Sequence, residues 1–359
     1  MLSILKRQDW VLNGAIFLLL GASVVMLSSI SVDLFTQQII WSIVAVLVIL
    51  FLAYIDWRVL IAYRWIIAGI YFFSIALLLV TYFFAPPIRN VRSWLVLGPA
   101  QFQVSELVKL ALIIVLAYFF GRQHIGIGRL TTIIRPFLYF AIPAFLVFLQ
   151  PDLGTVIVLF SIWAGFLLVS GLRWKHIGIG FMILAVIGAF GWTAILRDYQ
   201  RDRVIGLFDP TYDPLGVNYS TIQSKIAIGS GGFWGKGYNQ GTQVQLGFLP
   251  ESGTDYIFAS FAEEWGIVGG LGIILLFFTI IFRALKIGFG ATNNFYRFFC
   301  LGAVIMFLAQ FAINMGSALG ILPVIGITFP FFSYGGSSLL INAMIMGIIQ
   351  SAYVYRTTA

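Results

Sequence analysis

The sequence predicts an all-α polytopic membrane protein with about ten transmembrane helices, and three observations carry that reading. Only 9% of the 359 residues are charged, against about 25% in soluble domains. Hydrophobic residues make up 60% of the chain and gather in runs near the length of about 20 residues that a helix needs to cross a bilayer. Lys and Arg concentrate in alternate connections between those runs, which is the pattern that sets orientation in a membrane.

The runs lie near residues 11–31, 36–55, 65–84, 104–121, 136–150, 153–171, 177–196, 265–285, 298–316 and 338–355. The first begins MLSILKRQDW and has no small-residue cleavage site, so it reads as a retained span rather than a signal peptide. No soluble domain of any size is expected beside the spans, so residues 1–359 read as a single integral membrane domain. No internal repeat announces a transporter built from two halves. With the N-terminus in the cytoplasm, Lys6, Arg7, Arg58, Arg64, Arg122, Arg129, Arg135, Arg173, Lys175, Arg283, Lys286, Arg297 and Arg356 all fall inside. Both termini are then cytoplasmic, and one large extracytoplasmic loop, about 197–264, separates spans 7 and 8. The net charge of +8 is a topology signal, so no nucleic-acid partner is expected.

The single Cys300 excludes an internal disulfide and any multi-cysteine metal site. The two histidines, His124 and His176, each sit in a short basic loop. Carboxylates are therefore the candidate acid and base groups.

Residues 85–109 are broken into turns by Pro86, Pro87, Gly98 and Pro99, and lead into a span carrying Glu106 and Lys109. Those two are three apart, hence on one helix face. Charges inside a span pair or line a cavity, so they read either as an ion pair holding two helices or as the polar wall of a substrate groove. Asp152 in QPDLGT caps the sixth span or binds a ligand directly. Asp209-Pro210 and Asp213-Pro214 are turn starters in the long loop, and NYSTIQSKIAIG reads as a short amphipathic helix at the membrane interface. Arg201 and Arg203 suit a phosphate, which guanidinium meets bidentately, or they snorkel to lipid headgroups.

Gly229, Gly231, Gly232, Gly235 and Gly237 do not match a phosphate-binding Walker loop and read either as a backbone nest for a diphosphate or, more simply, as a flexible re-entrant segment. Residues 316–338 are too rich in Gly and Pro for a helix, and are expected to dip into the membrane against protein. The stretch Gly229–Gly266 also collects Glu251, Asp255, Glu263 and Glu264. Asp255 is either a helix N-cap, like its neighbour Thr254, or a reacting carboxylate. Glu251, Glu263 and Glu264 read as loop and helix-start charges.

Taken together, FQ-V-SE-LVK, QPDLGT, QS-K-IAIGSGG, LPE-SGTDYIF-ASFAEE and GILPVIGI-TFPFFSYGGSS resemble the shape, elongation, division and sporulation (SEDS) family of bacterial membrane proteins. The resemblance covers essentially the whole chain, and its rod-shape elongation branch is nearer than its division branch. It implies a peptidoglycan glycosyltransferase that polymerises lipid II, and an undecaprenyl-linked glycan, on the outer face of the cytoplasmic membrane. It also implies a class B penicillin-binding protein as partner, with membrane lipid around both. By motif, Asp255 falls on the family's essential acid, and Arg203, Glu106, Lys109, Asp152, Gln223 and Ser224 on other motif positions, with Arg201 beside them. The resemblance leaves open a divalent cation such as Mg2+ or Mn2+ at the diphosphate. Departures from the family pattern are Val104 in place of Pro, Asn218 in place of Gly, Lys225 at a usually uncharged position and Tyr256 in place of Phe. A lipid II flippase and a non-catalytic scaffold are the rival readings.

Overall fold

Apolar runs of this length become helices because, in lipid, each backbone N–H and C=O must find its partner inside the segment. The computed structural model describes residues 6–86, 92–97, 100–123, 130–171, 198–209 and 211–357, with isolated positions between 172 and 197. In chain order the elements are α1 (Trp10–Ile30), α2 (Val32–Ala53), the short α3 (Trp57–Ala62), α4 (Arg64–Phe84), β1 (Trp94–Leu97), β2 (Ala100–Gln103) and α5 (Val104–Gln123). They continue with α6 (Leu130–Leu149), α7 (Leu153–Val169), α8 (Asp198–Phe208), α9 (Tyr219–Ser230), α10 (Thr242–Gln245), α11 (Ile257–Phe289), α12 (Asn294–Ala318) and α13 (Gly336–Val354).

Among the described residues, seven helices are long and apolar enough to cross a membrane: α1, α2, α4, α5, α11, α12 and α13. Two shorter apolar helical stretches, Ile133–Leu149 within α6 and Leu153–Val169, join them. The expected seventh span, 177–196, lies outside the described residues apart from isolated positions, as do Arg89, His124, Arg129, Arg173, Lys175, His176 and Arg197. The helices α5 and α13 form the centre, each with 83% of its most apolar window buried, against 17% for α2. On α2, Ile40, Leu47 and Phe51 remain exposed, as suits a helix facing lipid tails.

The expectation of an all-α chain needs one correction. Residues read as turns form an antiparallel hairpin, with Trp94 opposite Gln103 and Leu97 opposite Ala100. Aromatic and β-branched residues on both sides of a Gly-Pro turn signal favour this pairing over a loose loop. Val104, where the family pattern has Pro, uses the N–H that Pro lacks, donating to Ser93 O at 3.0 Å.

Polar side chains tie the helices together at both ends of the bundle. At one end, Asp9 Oδ1 accepts from Val11 N and Leu12 N, both at 3.1 Å, capping α1. Its Oδ2 accepts from Arg283 Nε of α11 at 2.9 Å, and Gln350 Nε2 of α13 donates to Asp9 O at 3.0 Å. At the other end lie α8, α9 and an irregular segment, 319–335, between α12 and α13.

The span expected at 265–285 also differs. Here α11 begins at Ile257, breaks at Gly266 and continues to Phe289. The stretch before the break buries Glu263 and Glu264, at 0% and 1% exposure, so they are not solvated helix-start charges. Their partners come from the Gly-rich loop and from α1, which no local sequence pattern announces.

Candidate active site

A tight turn delivers Asp255. Glu251 takes a positive φ of 50°, and its carbonyl accepts from Thr254 N at 3.1 Å and Tyr256 N at 3.2 Å. Thr254 Oγ1 donates to Glu251 Oε2 at 2.9 Å. The N-cap position of α11 is Tyr256, so neither Asp255 nor Thr254 occupies it. The end of α12 and the irregular segment hold the backbone around Asp255 from the other side. Asn314 Nδ2 donates to Asp255 O at 3.1 Å and to Ile327 O at 2.9 Å. Ser333 Oγ donates to Thr254 O at 2.6 Å, and Tyr334 N to Gly253 O at 2.9 Å.

Tyr256 is 1% exposed. Its hydroxyl donates to Ser220 Oγ at 3.1 Å and lies 3.5 Å from Thr221 Oγ1, both on α9. Burial raises this phenol above its ordinary pKa; the hydrogen bonds to Ser220 and Thr221 oppose the shift. The charge of Asp255 adds to it and that of Arg203 opposes it.

Arg203 on α8 donates from Nη1 to Val324 O at 2.6 Å. Ser224 on α9 donates to Ala318 O at 2.7 Å, and Gln223 is half-buried beside it. Further along, α9 crosses Gly320 so closely that a Cβ there would meet Lys225 Cε at 2.3 Å. Asn218 keeps an ordinary φ of −87°, so this position does not need the freedom of glycine. Its Nδ2 instead donates to Asp209 O at 3.2 Å and Tyr212 O at 2.8 Å, fixing the turn between α8 and α9. Arg201 stands 3.7 Å from Asp198, one turn away on α8, an exposed pair that contributes about 0–1 kcal/mol.

Glu106 and Lys109 pair at 2.7 Å within α5, with Lys109 0% exposed. The ion pair belongs to one helix rather than bridging two. Asp152 takes the N-cap position of α7, with Oδ1 accepting from Thr155 N at 3.0 Å. Its Oδ2 accepts from Thr155 Oγ1 (2.9 Å), Gln103 Nε2 (3.2 Å) and Ser105 Oγ (3.3 Å). Two residues on, a Cβ on Gly154 would lie 2.5 Å from Ile325 O, so the segment that receives Arg203 also seats the start of α7. Asp152→Ala is expected to lower stability by about 1–2 kcal/mol, the usual value of a cap. Thermal unfolding of the detergent-solubilised protein measures it.

The arrangement sets a carboxylate, a guanidinium and several hydroxyls where four elements meet. A carboxylate there is suited to take a proton, and a guanidinium to receive an anion. Among the described residues, no group of three or more His, Cys, Asp or Glu side chains is placed to hold a metal ion. Sequence reasoning passed over Ser220, Thr221 and Asn314, and named Tyr256 only as a departure from the family's Phe. A polar Asn inside an apolar helix was the one signal available for Asn314.

Known proteins resemble this chain over most of its length. The peptidoglycan glycosyltransferase MrdB of Escherichia coli K12 is 41% identical over 287 residues, 80% of this chain and 77% of its own length. A protein named probable peptidoglycan glycosyltransferase FtsW, from Haemophilus influenzae, is 38% identical over 286 residues, 79% of this chain and 72% of its own. A solved structure described as a peptidoglycan synthase complex that coordinates polymerization and crosslinking superposes with a TM-score of 0.83. It is 29% identical and covers 98% of this chain and 99% of that one. The Thermus thermophilus rod shape determining protein RodA superposes at 0.73, with 27% identity and 98% of each chain covered. A family model, FTSW_RODA_SPOVE, described as "Cell cycle protein", matches residues 8–358. With nearly its whole length matched, this chain belongs to the FtsW, RodA and SpoVE family of cell cycle proteins.

Proposed function

We propose that this chain is a peptidoglycan glycosyltransferase that polymerises lipid II during cell elongation. Its working face is the outer side of the cytoplasmic membrane, and its partner is a class B penicillin-binding protein. The observation that carries the reading is that the irregular C-terminal segment is tied to both groups: Arg203 donates to Val324 O, and Asn314 Nδ2 joins Asp255 O to Ile327 O. The likeness to the rod shape determining protein RodA over 98% of the chain supports elongation over division. The excess of Lys and Arg on the opposite side of the bundle supports the orientation.

In this mechanism Asp255 accepts the proton of a sugar 4-hydroxyl on lipid II. The freed oxygen bonds to the anomeric carbon of the lipid-linked glycan, with inversion. The bond from that carbon to the diphosphate breaks, and undecaprenyl diphosphate departs with its charge met by Arg203. Ser224 fastens α9 to Ala318 O, with Gln223 beside it on α9 and Arg201 two residues from Arg203 on α8. Glu106, Lys109 and Asp152 keep the neighbouring wall polar.

The test is to incubate purified protein with lipid II, with and without the penicillin-binding partner, and to resolve the products by size. Long glycan is the expected product. Folded protein that yields none with an active partner, yet moves labelled lipid II across a vesicle, would establish a flippase instead.

A further inference from the structure

The Gly-rich run and the acids at 263 and 264 serve neither the proton transfer nor the leaving group, and the structure brings them together. At Gly266, φ is 68° and ψ is −172°, outside helical values. Such a break leaves carbonyls before it and N–H groups after it without partners in the helix. The Gly-rich run supplies both. Lys236 N donates to Glu263 O and Gly237 N to Glu264 O, each at 3.0 Å. In return, Ile267 N donates to Gly232 O at 3.0 Å and Val268 N to Phe233 O at 3.3 Å. Side chains would not fit in this splice. A Cβ on Gly235 would sit 2.1 Å from Glu264 O, and one on Gly266 would sit 2.4 Å from Gly235 N. Both residues also need positive φ, at 85° and 68°, which glycine adopts without steric cost.

Side chains lock the splice. The buried Glu263 Oε1 accepts from Lys236 Nζ at 2.7 Å, Thr242 Oγ1 at 3.1 Å and Gln243 N at 3.0 Å. Lys236 Nζ also donates to Thr242 Oγ1 at 2.8 Å. Glu264 accepts from Ser29 Oγ of α1. The splice is the far end of a brace, because α9 ends on Gly231 while its first turn holds Tyr256 through Ser220. The stretch 257–265 is thus fixed at both ends, with Asp255 beside one and Glu263 near the other.

We infer that Glu263 and Lys236 are positioning residues for Asp255, an inference that rests on the function proposed above. The stretch is roughly 14 Å long at 1.5 Å per residue, so a pivot of about 4° at Gly266 moves Asp255 by about 1 Å. A misplacement of that size costs on the order of a hundredfold in rate.

The experiment uses the full chain with its penicillin-binding partner and lipid II, and measures kcat and KM separately. Glu263→Gln and Lys236→Met are expected to lower kcat at least about tenfold with KM within about threefold, and Lys236→Arg to restore most of the loss. Thr242→Val, which removes a hydroxyl shared by both groups and leaves the carboxylate in place, is expected to lower kcat by about threefold. Hydrogen exchange across residues 257–268 should quicken in the same variants without substrate. Wild-type kcat in Lys236→Met and Thr242→Val would overturn the inference, even where Glu263→Gln does not fold. So would a loss that Lys236→Arg fails to recover, or unchanged exchange. Absence of glycan from the wild type would instead overturn the proposed function, and the exchange measurement would still judge the splice.

Discussion

Asp255→Asn is expected to lower glycan polymerisation at least about a hundredfold and to leave the protein folded. General-base catalysis is typically worth about 10²–10⁴-fold, or about 3–5 kcal/mol of barrier, and the amide has no basic oxygen with which to take the sugar proton. The substitution is nearly isosteric and spares the local structure. The N-cap of α11 is Tyr256, and the bond from Asn314 Nδ2 goes to the Asp255 backbone carbonyl, which the variant keeps. Lipid II should still bind, so the loss belongs in kcat rather than KM. Size-resolved glycan from wild type and variant, beside their thermal unfolding curves, makes the measurement. Near-normal polymerisation by a folded variant would remove Asp255 from the chemistry. Equal loss of activity and of folded protein would return it to a structural role.

What the sequence made legible was whatever depends on near neighbours. Apolar runs among the described residues became helices, the three-residue spacing of Glu106 and Lys109 became an ion pair within α5, and the turn QPDLGT became a cap on α7. The amphipathic segment at 219–230 is a helix, and the irregular stretch before α13 has its polar groups met by protein, as with Asn314 on Ile327 O. The splice escaped because its bonds join backbone atoms about thirty residues apart. Glycine was read there as freedom to move, whereas Gly235 and Gly266 are needed for close approach. The same distance hid Glu263, whose partners Lys236 and Thr242 lie in the loop. Arg203 was legible as a cation and not as a donor to Val324 O, since nothing local points from α8 to the C-terminal segment. Around Asp255, the motif marked the residue, while the fold alone reveals how Asn314, Ser333 and Tyr334 hold its backbone.

Glu106→Gln is expected to be among the most destabilising single changes in the chain, at about 3–5 kcal/mol, because it strands a buried charge. Lys109 is 0% exposed, and its ammonium lies 2.7 Å from the Glu106 carboxylate. Removing that carboxylate leaves a cation in a span, where charge is costly without a partner. The double change Glu106→Gln with Lys109→Met removes both charges and is expected to recover most of the lost stability, as replacing a whole buried pair by apolar groups often does. Thermal unfolding of the two variants beside the wild type makes the comparison, and a single-variant cost below about 1 kcal/mol would put the pair in water. Polymerisation by the double variant then separates the two readings that the spacing left open. If stability and glycan both return, the pair serves only the fold of α5. If stability returns and glycan does not, the charges themselves face the substrate, and the groove extends from Asp255 past the start of α7 to the wall of α5.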